Sequence, residues 1–140
     1  MIWTFKIELP FGRNNDDEEM IRIIEMESSS TLEDLHLAIQ QAVNFDNDHM
    51  YEFFVSKNTR SRNRETYDIE SNDVYNITLE KLYPIGAGYK LYYLFDYGDS
   101  WIFKVTKTRK KPTTKVDGID YPRIIESIGK NPEQYKEYEW

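Results

Sequence analysis

The sequence predicts an α+β fold: a mostly antiparallel sheet with one main helix packed across it. Three observations carry that expectation. Residues 89–107 hold two aromatic and β-branched runs on either side of Asp96-Tyr97-Gly98-Asp99-Ser100, and such side chains suit a pleated, half-buried surface. Ile2–Leu9 alternates strictly, with Trp3, Phe5, Ile7 and Leu9 on one face and Thr4, Lys6 and Glu8 on the other, the pattern of a half-buried strand. From Leu32 to Val43 the apolar positions instead recur at helical spacing. At 140 residues the chain is expected to form one domain, 1–140, long enough to bury a real core.

The elements follow in order. Pro10–Glu19 combines turn formers with the acidic run Asp16–Glu19 and is expected to be a solvated loop. Met20–Glu27 is a second strand whose less regular pattern suits burial on both faces. With Ile2–Leu9 it makes a hairpin. Ser30 is expected to cap the helix, with Glu33 reaching back three residues later as in a capping box. Leu32, Leu35, His36, Ile39, Ala42 and Val43 form its inner face, and it should end near Asn44. His49–Ser56 is a third strand. Hairpin and helix give the first half a β-grasp-like order.

Lys57–Asn63 is a polar, basic loop, and Tyr67–Tyr75 mixes turn residues with Ile69 and Val74. Ile77–Leu82 suits either a helical turn or a strand. Gly86-Ala87-Gly88 lacks the Lys-Ser/Thr and the strand-to-helix setting of a phosphate loop. Strands Lys90–Asp96 and Trp101–Lys107 then form a hairpin bent at Tyr97–Ser100. Thr108–Gly118 is a basic connection, Arg123–Ile128 is apolar enough for one short helix stopped by Gly129, and Glu133–Trp140 is an aromatic, acidic tail.

Composition narrows the function. No cysteine is present, which excludes disulfides, thiolate metal sites and cysteine nucleophiles and suits a reducing cytoplasm. No apolar run approaches the roughly 20 residues of a membrane span, and the first residues alternate instead of following a signal peptide's order. A cytoplasmic protein with no membrane partner is expected. Net charge is −7. Residues 1–56 carry 12 acids and 3 bases, while 57–140 carry 13 acids and 15 bases. An acidic balance disfavours general nucleic-acid binding, whose affinity comes largely from neutralised phosphates.

Three constellations stand out, each with a plainer reading. Asp96 and Asp99 would direct two carboxylates at a divalent cation, with His36 and His49 as further ligands or a general base; this would be a metal-dependent hydrolase. The plainer alternative has Asp99 bonding turn amides, Asp96 ordering the strand end, His36 as a core imidazole and His49 ordering a loop. Lys104, Lys107, Arg109, Lys110, Lys111 and Lys115, with Lys57, Arg60, Arg62 and Arg64, would form a positive surface on which Tyr93 and Trp101, beside Tyr89 and Tyr92, stack bases. The alternative has the charges protecting a strand edge and the aromatics in the core. The tail's Trp140 and its tyrosines suit either packing on the body or docking a partner.

Three stretches together resemble a known family. They are Ser30-Thr31-Leu32-Glu33-Asp34-Leu35-His36 with Ile39-Gln40, leading to His49-Met50-Tyr51-Glu52-Phe53; Tyr93-Leu94-Phe95-Asp96-Tyr97-Gly98-Asp99-Ser100-Trp101; and Tyr121-Pro122-Arg123-Ile124-Ile125-Glu126 with Gly129 and Pro132-Glu133-Gln134-Tyr135. In this order they are similar to the plasmid pRiA4b ORF-3-like family, some of whose members carry the label of a TnpR-like insertion-element passenger protein. The chain departs from the family in lacking cysteines near the Pro-Glu motif and in placing Ile102-Phe103 after Trp101. With no cysteine there, no metal knuckle carries over from the relatives, and the resemblance implies no established activity and an association with mobile elements. The leading expectation is therefore a non-enzymatic interaction module with a protein partner and no cofactor, of open oligomeric state. Nucleic-acid binding through the 104–115 stretch is the alternative, and the metal-dependent hydrolase a second one.

Overall fold

The computed structural model describes residues 1–11 and 19–134. Asp16, Asp17 and Glu18 of the acidic run and residues 135–140 of the tail lie outside the described residues. One open antiparallel sheet of seven strands runs in the order β4-β3-β5-β6-β1-β2-β7. β1 is Ile2–Phe11, β2 Ile21–Glu27, β3 Tyr51–Ser56, β4 Glu65–Asp68, β5 Lys90–Phe95, β6 Trp101–Lys107 and β7 Arg123–Ile128. The α+β expectation holds, and the β1–β2 and β5–β6 hairpins form as expected.

Alternation decides which side chains meet. The register Phe53↔Tyr93↔Phe103 and Val105↔Ile7 puts the large apolar residues of four strands on one face, where Phe5, Ile24, Tyr93, Phe95, Trp101 and Phe103 are fully buried. The 12-residue helix α1, Leu32–Val43, covers this face. It reaches from β5, where His36 and Gln40 meet Tyr93, to β2, where Arg22 Nε donates to Ala42 O at 3.2 Å. Leu32, Leu35, His36, Ile39, Ala42 and Val43 are all buried. β2 is buried on both faces for much of its length, with Arg22, Ile24 and Met26 inward and Ile21 and Glu25 on the opposite side.

The helix start is displaced by one residue from the expected cap. Thr31, in place of Ser30, is the N-cap; its Oγ1 accepts from Asp34 N–H, and Asp34 Oδ2 accepts from Thr31 N–H at 2.9 Å. Both pairs satisfy the same Ser/Thr-x-x-Asp/Glu pattern. The helix ends as expected at Asn44, whose φ of 57° is left-handed.

Two further segments resolve as single helical turns, α2 Asp73–Asn76 and α3 Leu79–Leu82. Within Tyr67–Tyr75, where turn residues mix with Ile69 and Val74, the chain first completes β4. Arg123–Ile128 corrects the expectation of a short helix. It is the edge strand β7, antiparallel to β2, with a bulge between Ile23 and Ile24. The apolar spacing of Ile124, Ile125 and Ile128 fits a helix face, but backbone pairing with β2, about a hundred residues earlier, settles the conformation.

Candidate functional site

At one end of the sheet, β1 and β5 begin, β6 ends and α3 leads into Tyr83-Pro84. These elements enclose an open groove of about 530 Å³ lined by Trp3, Tyr83, Ile85, Tyr89, Lys90 and Lys107, among others. The inward series Trp101, Phe103, Val105 continues to Lys107, so the face that is apolar along the sheet becomes cationic where the core stops. Lys107 Nζ lies 4.6 Å from the centre of the Trp3 ring, a cation–π contact. Tyr83 meets Trp3 edge-on at 6.1 Å between ring centres and lies 5.9 Å from Phe5. Burial raises the pKa of the Tyr83 phenol. Tyr89 in the lining is 40% exposed, and Lys57 Nζ is 5.8 Å from the centre of its ring.

The α3 wall is tied to the core. Leu79 N–H donates to Ser30 O and Glu80 N–H to Ser28 O, both at 2.9 Å. Ser28 Oγ donates to Glu80 Oε2 at 3.1 Å, so the carboxylate of this wall is partnered by the link between β2 and α1.

Of the residues singled out from sequence, Lys107 and Tyr89 line this groove, while the histidines, Asp96, Asp99 and the rest of the basic stretch lie elsewhere. His36 is 2% exposed and stacks on Tyr51 with 3.6 Å between ring centres. Its hydrogen-bond partners are side chains. With Asn47 Oδ1 accepting from Nε2 at 2.9 Å, Nδ1 accepts from the Tyr93 hydroxyl, which accepts from Gln40 Nε2 at 2.9 Å. The chain of donors thus runs Gln40, Tyr93, His36, Asn47. Burial lowers the His36 pKa to about 4 against the opposing hydrogen bond from Asn47, so the ring is neutral at pH 7 with both nitrogens engaged.

Asp96 and His49 do come together. Asp96 is buried, with φ of 62°. Its Oδ1 accepts from Gly98 N–H at 3.1 Å and Asp99 N–H at 3.3 Å, while Oδ2 lies 3.4 Å from His49 Nε2. Asp96 thus bonds amides of the turn, a role the plainer reading gave to Asp99. Such side-chain-to-amide bonds are how Asp supports a left-handed turn. Among the described residues no group of three His, Asp or Glu side chains is arranged to hold a metal ion.

The basic stretch does not present one free cationic surface. Lys104, Lys110 and Lys115 each lie 3.5 Å from a carboxylate, of Glu8, Glu25 and Glu27. Arg109 and Lys111 are exposed, and Thr113 pairs with Ile2 to pin the connection to the start of β1. Tyr93 and Trp101 have no exposed surface. Trp101 packs against Phe45 with 5.0 Å between ring centres. Neither ring offers a face to a base.

With this geometry in hand, the sequence comparison is decisive on ancestry. The model of the plasmid pRiA4b ORF-3-like protein family matches residues 2–136. The chain belongs to that family. No curated protein matches it. A crystal structure of a protein of unknown function from Methanosarcina mazei Go1 superposes with a TM-score of 0.69 at 21% identity, covering 90% of this chain and 68% of the other. At that identity the likeness concerns the fold. No described helix is long and apolar enough to cross a membrane.

The groove went unnoticed in the sequence because Trp3, Tyr83 and Lys107 are far apart along the chain. One signal was present: Lys107, paired with Phe5 across the strands, breaks the inward apolar alternation of β6.

Proposed function

We propose that the protein is a non-enzymatic binding module that presents the groove between α3 and the ends of β1, β5 and β6 to a protein partner. The observation that carries this reading is the groove itself, of about 530 Å³. Its size lies in the range of ligand sites, and apolar rings with a few placed polar groups are their usual lining. The absence of cysteine supports a reducing cytoplasm as its setting. The plasmid reading frame in the family's name supports a partner from mobile-element machinery.

Affinity capture from source-cell lysate, with and without nuclease, tests the proposal using the unmodified protein and Lys107→Glu. A protein retained after nuclease treatment and lost with Lys107→Glu supports it. Capture that nuclease abolishes would favour a nucleic-acid accessory role, and capture indifferent to Lys107→Glu would move the binding surface off the groove.

A further inference from the structure

We infer that the occupant of the groove is an acidic peptide segment carrying one bulky apolar side chain, an inference that rests on the binding-module reading. Lys90 and Lys107 line the groove and Lys57 lies beside the ring of Tyr89, and among the described residues none of the three is ion-paired to a carboxylate. Lys104, Lys110 and Lys115, by contrast, each have a glutamate at 3.5 Å. In a chain of net charge −7, Lys57 and Lys107 instead lie over the rings of Tyr89 and Trp3, both of which line the groove. The one carboxylate in its lining, Glu80, is bonded by Ser28. The rim is therefore complementary to an anion, and the half-buried Ile85 in the lining suits an apolar anchor.

The same geometry weighs against a nucleic-acid strand. Stacking a base needs an open ring face, whereas an ammonium lies over Trp3 at 4.6 Å and another over Tyr89 at 5.8 Å. A carboxylate can engage those ammoniums where they stand. Contacts of this kind steer association and weaken with salt.

The test is isothermal titration of the full chain with capped peptides Glu-Glu-Phe-Glu-Glu, Lys-Lys-Phe-Lys-Lys and Glu-Glu-Ala-Glu-Glu, and with a decathymidylate. The double variant Lys90→Glu/Lys107→Glu, whose folding is checked by its melting curve, reports the location. The acidic Phe peptide is expected to bind, to weaken with added salt, and to lose about tenfold in affinity in the double variant. The Lys and Ala peptides are expected to bind more weakly. Equal binding of the Lys peptide, still weakened by the variant, would overturn the acidic occupant and leave the groove as a binding site. Acidic-peptide binding untouched by the variant would overturn both readings, as would tighter binding of the decathymidylate. Failure of all three peptides to bind would overturn the peptide occupant.

Discussion

Arg22 Nη2 donates to Asn131 Oδ1 at 2.7 Å, closing a set in which every N–H of a buried guanidinium has a neutral acceptor. Nη2 also donates to Gly129 O at 3.0 Å, Nη1 donates to Ile21 O and Ile128 O, both at 2.8 Å, and Nε to Ala42 O. No basic residue lies in the last turn of α1, so Arg22 supplies the positive charge that the carbonyl end of a helix favours. One side chain thereby joins β2, the end of β7 and the C-terminus of α1.

Arg22→Met is expected to destabilise the fold by about 3 kcal/mol, because several buried carbonyls lose their donors together. Arg22→Lys should recover less than half of that loss, since one ammonium cannot reproduce the planar fork. Urea unfolding of the three proteins measures both differences.

Acid should weaken the protein through His36. Its folded pKa of about 4 lies below the ordinary 6.5. The unfolded state therefore binds the proton more tightly, and stability is lost as pH falls from the unfolded value toward the folded one. The contribution is about 2 kcal/mol between pH 7.5 and 5 and nearly flat above pH 7.5. His36→Gln should remove this part of the pH dependence when melts of the two proteins are compared across that range.

Thr31→Ala should cost about 1 kcal/mol, the usual worth of an N-cap, while Ser30→Ala should stay within about 0.5 kcal/mol. Equal losses would return the cap to Ser30. Chemical denaturation of the two variants decides between them.

Gly129→Ala is expected to be among the most damaging small substitutions. Its φ is 80°, and a Cβ built there would lie 1.9 Å from Glu19 O. Left-handed strain alone costs about 1–2 kcal/mol, and the backbone clash adds to it. The melting temperature should drop by roughly 5 °C or more.

Much of the fold was legible because its signals are local. The β5–β6 hairpin appears within a residue of its expected bounds, since aromatic alternation and turn chemistry lie side by side in the chain. The end of α1 at Asn44 was equally local. β7 was not: Ile124, Ile125 and Ile128 carry no strand alternation, and only Arg22 and its neighbours in β2 hold them extended. Asp96, Asp99, His36 and His49 were visible as chemistry-bearing residues, but their surroundings were not. Burial of His36 against Tyr93 and Tyr51, and the turn that consumes one Asp96 oxygen, depend on register across strands. The groove depends on it too, as Trp3 and Lys107 meet only because β1 lies beside β6.

That adjacency has a consequence in time. β1 gains β2 as a neighbour once residue 27 is made, but its other neighbour begins at residue 101. At about 5–20 residues per second on the ribosome, roughly 4–15 s separate the two events. Through that interval the nascent chain carries an early hairpin with both edges unpaired, since β7, the other neighbour of β2, begins only at residue 123, and an apolar face that α1 alone partly shields. The centre of the finished sheet is thus a late seam, closed by β6 against a strand synthesised among the first, and the groove beside it does not exist until that seam is shut.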